Sequence, residues 1–232
     1  MWREVITTFI LMRKWLLNML GNFVLFQQAE AGGVRAGGFR HMNFSNQELQ
    51  ELGRAWLLLS IAFAILFAGF SLDLKFAFAV LISGFTAGIG FLLHEIAHKF
   101  VAQKFHCKAE FHAFDKMLWI AVLLSFFGFI FAAPGAVFIS GRINAKKNGL
   151  ISLAGPLTNV IIGLFFAVLF VAIPIQAIKS ISLIGIRINF WLALFNMLPF
   201  FGLDGTKVLL WDKRVYATVL IVCILLVFGT SF

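Results

Sequence analysis

Charge is what this chain has least of. Only 12% of its 232 residues are charged, against about 25% in an ordinary soluble domain. Such a chain cannot cover a water-facing surface. Cysteine is almost absent: Cys107 and Cys223 stand far apart, which excludes a disulfide framework and leaves no CxxC metal pair. Acids are scarcer than bases, ten against nineteen, for a net charge of +9. The cations fall in short connectors between apolar runs, a pattern of membrane topology and headgroup contact rather than of nucleic-acid binding. No internal repeat stands out.

What fills the chain instead is hydrophobic: 61% of residues, with 30 phenylalanines. Six runs carry no charge: Ala55–Leu72, Phe76–Leu93, Met117–Gly141, Asn148–Ile178, Ile188–Leu203 and Val215–Phe232. A spanning helix needs roughly 17 to 25 mostly apolar residues, and lipid admits only structures that satisfy their own backbone. The fold class expected is an all-α polytopic membrane protein with about five to six transmembrane helices. A single such run is equally compatible with a buried core helix; six of them are not.

Residues 1–41 differ. Apolar stretches interrupted by Arg13 and Lys14 lead into a Gly-rich polar segment. This reads as an amphipathic surface helix and a linker, an extension ahead of a membrane domain over 42–232, and lacks the unbroken core of a signal peptide. Ser45 and Glu48 have capping-box spacing at a helix start, though so short a pattern also arises by coincidence.

The chemistry lies in FLLHEIAHKF, residues 91–100. On a helix, positions four apart share a face, so His94 and His98 aim two imidazoles at one point. Glu95 stands beside the first as a general base. This is the HExxH pattern of zinc sites. The pattern alone occurs by chance, and polar residues at a helix end also dip into headgroups. Three ionisable groups on one turn of an apolar run are harder to explain that way, because such groups are costly in lipid.

A third ligand must come from elsewhere. Asp204 ends the run INFWLALFNMLPFFGLDG, where Pro199 and Gly202 break the helix and Asn196 precedes by one to two turns. Broken helices at membrane depth line cavities, so Asp204 is a candidate ligand and Asn196 a hydrogen-bond donor to a substrate carbonyl. The plainer reading of Asp204 is a turn before a basic loop. His106, Cys107 and His112 are further candidates, in a connector that more readily faces water.

Charge placement supplies a separate test. Lys99, Lys104, Lys108 and Lys116 follow the histidine helix, Arg142, Lys146 and Lys147 precede Asn148, and Lys207, Lys213 and Arg214 follow Asp204. By the positive-inside rule all three connectors are cytoplasmic. His94, His98 and Asp204 then share one depth, provided residues 117–141 enter and leave by the same face. A re-entrant hairpin is expected there, turning at Gly128 or at AAPG (Ala132 to Gly135), with an edge able to receive an extended peptide.

HEIAH, then ISLAGPLTN (Ile151 to Asn159), then NMLPFFGLDG (Asn196 to Gly205) resemble, in order and over roughly residues 55–215, the site-2 protease family of intramembrane zinc metalloproteases. The likeness is to compact archaeal-type members without PDZ or CBS modules. It implies a three-helix catalytic core binding one zinc ion, with His94, His98 and Asp204 as ligands. Glu95 would be the base, Asn196 a residue at the substrate or oxyanion, and Gly155 and Pro156 helix-packing positions. It also implies cleavage of single-pass membrane substrates within the bilayer of a prokaryotic plasma membrane, at an active site toward the cytoplasm. One departure is local: Phe201 and Gly202 stand where relatives often carry prolines. A catalytically silent scaffold or carrier of the same fold is the competing reading, and the intact motifs argue against it. A membrane metalloprotease with glutamate as third ligand would have only Glu110 to draw on downstream.

Overall fold

The computed structural model describes residues 42–130, 134–200 and 202–230. The N-terminal extension therefore lies outside the described residues. The chain is helical apart from one small sheet. Helix α1 spans Asn46–Ala68. Helix α2, Leu74–Ser83, passes through a π turn at Gly84–Gly88 into α3, Ile89–Lys104. Strand β1, Lys108–Ala113, is followed by α4, Asp115–Ser125, and by strand β2, Gly135–Ser140. Helices α5, Ala145–Ala172, and α6, Gln176–Asn196, complete the long elements. The short α7, Asp204–Trp211, and then α8, Lys213–Gly229, follow.

Four helices are long and apolar enough to cross a membrane: α1, the continuous helix Leu74–Lys104, α5 and α6. Large apolar side chains such as Phe78, Leu81, Ile161, Val168 and Leu225 point outward from the bundle, as a lipid solvent demands. The fifth apolar helix, α8, has 17 residues. The charge-free runs and the helices do not coincide, because helices break at backbone signals rather than at charges. Pro174 separates α5 from α6, and Ile173 before it is extended, as a residue preceding proline prefers. Lys179 lies within α6.

The 117–141 run does not cross. Ala113 pairs with Gly135 in the antiparallel ladder β1–β2, so the chain that leaves β1 through α4 returns to the residue from which it left. Gly128, at φ +84°, sits in the turn after α4, a backbone setting that favours glycine. The expected hairpin is thus half helix, half strand.

Two apolar clusters hold the helices together. Leu52, Leu59, Phe91, Phe111 and Leu118 join α1, α3, β1 and α4. Ile162, Phe166, Phe190, Met197 and Val208 join α5, α6 and α7.

The start of α1 corrects two sequence readings. Ser45 caps the helix, its hydroxyl accepting from the Glu48 amide at 3.0 Å. The reciprocal half of the capping box is replaced, because the Glu48 carboxylate is fully buried and pairs with Lys99. Lys99 is itself buried, with its ammonium 4.2 Å from the Phe44 ring centroid. It is therefore a structural cation and not a topological marker. Glu48 also accepts from the Phe111 amide at 3.0 Å, and Glu51 from the Ala113 amide at 2.8 Å. These carboxylates close the outer edge of β1. Lys99→Met, which strands the buried Glu48, is expected to destabilise by about 3–5 kcal/mol. The double variant Glu48→Gln/Lys99→Met should recover most of that loss, as thermal melts in detergent would show.

Candidate metal centre

His94 and His98 lie one turn apart on α3, and both are buried. Their rings stand edge to face, 4.6 Å between centroids. The facing wall is α5, which can come this close only because residue 155 is glycine: a Cβ there would sit 2.5 Å from the Nε2 atoms of both histidines. Pro156 follows inside the helix. Having no N–H, it leaves the Ser152 carbonyl, four residues back, without its rung of the backbone ladder. The Ile151 carbonyl accepts from His98 Nδ1 at 2.8 Å.

Asp204 reaches the same point from the other side. Helix α6 ends at Asn196, the chain turns through Gly202 at φ +71°, and α7 begins with Asp204. A carboxylate at a helix N-terminus is favoured by the exposed amides there. Its Oδ2 is 3.2 Å from His94 Nε2 and 3.0 Å from His98 Nε2, and the two Nε2 atoms are 3.0 Å apart.

These distances fit a metal ion. A carbonyl can only accept, so Nδ1 of His98 carries its proton and Nε2 presents a lone pair. Three lone-pair donors held within 3.2 Å of one another repel unless a cation sits between them. Zinc ligands at 2.0–2.1 Å in tetrahedral array lie roughly 3.3 Å apart, close to what is seen. Among the described residues this His94–His98–Asp204 group is the one able to hold such an ion.

Glu95 is buried on the wall of the same cavity, within electrostatic reach of His94, Asp204 and Lys207. Asn196 also lines it, with one amide N–H donating to the Leu192 carbonyl at 2.9 Å. The cavity measures about 590 Å³, and α1, β2 and α6 line it through Phe63, Phe67, Val137, Ile139 and Trp191 among others.

The alternative ligands from the connector fall elsewhere. Cys107 is buried among Ala102, Ala109 and Ile151, where burial pushes its thiol up from the usual range. His112 faces Glu51 at 3.4 Å. Glu110 accepts from the Ser45 hydroxyl at 2.8 Å.

Three residues of the site escaped the sequence reading. Lys207, whose ammonium is 3.9 Å from Asp204 Oδ1, stands one helical turn beyond it, a spacing that was there to be read. Asn159 and Asn189 are fully buried, Asn159 against His94 and Asn189 behind it. Asn159 closes the ISLAGPLTN motif without a role of its own there, and Asn189 stands two residues after Arg187; the partner that gives each a role is on another helix.

Apolar helices of spanning length around a buried His–His–Asp centre with an adjoining glutamate define a membrane metallohydrolase. Comparison with known proteins gives the family. The chain is 38% identical over 179 residues to "Putative zinc metalloprotease MJ0611" of Methanocaldococcus jannaschii, covering 76% of this chain and 90% of that protein. It is 31% identical over 144 residues to "Putative zinc metalloprotease YwhC" of Bacillus subtilis, covering 52% of this chain and 64% of that one. Against "Zinc metalloprotease MJ0392" of M. jannaschii the identity is 28% over 123 residues, 52% of this chain and 31% of that one. No protein-family model matches the chain, and no solved structure does. The chain belongs to the zinc metalloprotease family of the M. jannaschii protein MJ0611.

Proposed function

We propose that the protein is a zinc endopeptidase of the site-2 type, cutting single-pass membrane proteins inside the bilayer. The observation that carries this reading is that the metal group and Glu95 line a cavity whose walls include helices of spanning length. Lys104, Lys146, Lys147, Lys213 and Arg214 lie near the metal end of the chain's helices, and the positive-inside rule makes that end cytoplasmic.

His94, His98 and Asp204 would hold the zinc ion, which supplies Lewis acidity when bound. Glu95 takes a proton from the attacking water and delivers it to the leaving amine as the peptide C–N bond breaks. Asn196, which lines the cavity, keeps a second amide N–H to offer a substrate carbonyl. A transmembrane helix hides its carbonyls in its own hydrogen bonds, so the cut segment must unwind.

The sheet offers it a place to unwind onto. The outward amides of Phe111 and Ala113 mark Phe111–Val137 and Ala113–Gly135 as non-hydrogen-bonded pairs of the ladder. The amides of Val137 and Ile139 therefore point away from β1, and both residues line the cavity. Glu48 and Glu51 close the β1 edge, and the β2 edge is left for an added strand. Val137→Pro removes an outward donor without breaking any β1–β2 bond. We expect an unchanged melting temperature within a few degrees and cleavage reduced by at least about tenfold, the loss of roughly one hydrogen bond in the transition state. Full activity would refute edge docking.

The reading itself is tested with purified protein in liposomes. A model single-pass substrate and a soluble peptide of the same cut sequence are compared with and without chelation of zinc. Zinc-dependent cleavage of the membrane substrate is expected. Cleavage of the soluble peptide alone would place the enzyme in another class.

A further inference from the structure

Asn159 on α5 and Asn189 on α6 are both fully buried, and burying an amide is costly unless its hydrogen bonds are made. Neither belongs to the metal group. They are joined in one chain of hydrogen bonds that ends on a ligand. Asn189 Nδ2 donates to the Gly185 carbonyl at 2.9 Å and lies 3.4 Å from the Thr86 carbonyl in the π turn. Asn159 Nδ2 lies 3.3 Å from Asn189 Oδ1. Asn159 Oδ1 is 2.7 Å from His94 Nδ1.

The direction of this chain is forced by chemistry. The oxygen and nitrogen of an asparagine amide are otherwise hard to tell apart. Here the far end settles them. Two backbone carbonyls can only accept, so the Asn189 atom facing them must be Nδ2. That leaves Oδ1 of Asn189 toward Asn159, which must answer with its own Nδ2. Oδ1 of Asn159 is then the atom facing His94, so Nδ1 of His94 carries the proton and Nε2 keeps its lone pair for the metal. A flip anywhere along the chain would set acceptor against acceptor or donor against donor.

Asn189 has little room to leave this place. Gly90, one turn before His94 on α3, lies so close that any Cβ there would strike the Asn189 side-chain oxygen. The π turn, α3, α5 and α6 thus meet on one amide.

We propose that Asn189 is a positioning residue of the zinc site, acting on His94 through Asn159. Partners of this kind, which fix a ligand's tautomer and ring orientation, typically change metal affinity by 10–100-fold. Asn189 differs in standing one residue further out: its role is to decide which end of Asn159 the histidine meets.

The test reads zinc itself and does not depend on what the enzyme cuts. The full chain in detergent is stripped of metal, reloaded, and its zinc dissociation constant measured against a competing chelator. The cobalt-substituted protein's absorption spectrum reports ligand geometry. Asn159→Leu is expected to weaken zinc about 10–100-fold, and Asn189→Leu about five- to tenfold with an altered cobalt spectrum. The decisive measurement is the double variant. Asn159→Leu/Asn189→Leu should bind zinc no more weakly than Asn159→Leu alone. If Asn189→Leu weakens zinc equally in both backgrounds, its role is packing and the inference fails. It fails too if Asn189→Leu leaves affinity within twofold of native. Should Asn189→Leu not fold, Asn189→Ser in the same two backgrounds gives the same decision.

Discussion

Glu95→Gln is expected to keep its zinc and lose its cleavage. The metal group consists of His94, His98 and Asp204, whose ligand atoms all lie within 4.8 Å of one another. Glu95 is the neighbour of His94 on α3 and lines the cavity without belonging to that group. Glutamine preserves volume and leaves the ligands alone, so zinc per protein should stay near native. What it cannot do is accept a proton. Loss of a positioned acid–base group typically lowers rate by 10²–10⁴-fold, and the upper end applies here because no other acid among the described residues lines the cavity beside Asp204. Metal analysis and a cleavage assay on the same preparation read both quantities. Unchanged cleavage would remove Glu95 from the base role. A protein that never carries zinc, however gently purified, would favour the scaffold reading.

The parts of the site that were legible in the sequence are those whose geometry is local. The i, i+4 spacing puts His94 and His98 together on any helix, and the burial of both follows from the apolar run around them. Asp204 was legible less directly, through a helix broken by Pro199 and Gly202 and through cations that set the depth of distant connectors. The hairpin over 117–141 followed from the same depth argument, and the pairing of Ala113 with Gly135 is its structural form.

What the sequence did not disclose is tertiary. Lys99 counted as one more cation beside the histidines, because nothing local says that Glu48, 51 residues earlier, waits for it. The capping-box spacing at Ser45 was present, but a buried ammonium outbids a backbone amide for the Glu48 carboxylate. Asn159 and Asn189 had no stated role until the packing of α5 and α6 put Asn159 against His94 and Asn189 behind it. The charge-free run Asn148–Ile178 is longer than the helix it contains, since Pro174, which ends α5, carries no charge to mark the break.

Gly155→Ala should abolish zinc binding, and the reasoning needs only one methyl group. A Cβ at residue 155 would lie 2.5 Å from His94 Nε2 and Cε1 and from His98 Nε2, well inside contact distance. Relief would have to come from the rings or from α5. The rings are tethered: His94 by Asn159 at 2.7 Å and His98 by the Ile151 carbonyl at 2.8 Å. The backbone is held as well, because Pro156 is wholly buried next door and Gly163, two turns on, packs against Phe190. Overpacking of this kind costs about 1–3 kcal/mol, which a folded bundle survives. The metal centre does not, since the methyl group competes for the space in which the Nε2 lone pairs converge. We expect zinc content below a tenth of native and cleavage lost with it. Gly53→Ala is the control: it too places a methyl on a helical glycine, but with nothing within 4 Å of the new carbon. It should keep zinc and gain up to about 1 kcal/mol of stability from helix propensity alone. If Gly155→Ala binds zinc at native stoichiometry, α5 can move away from the histidines, and the rigid wall inferred here for the metal centre is wrong.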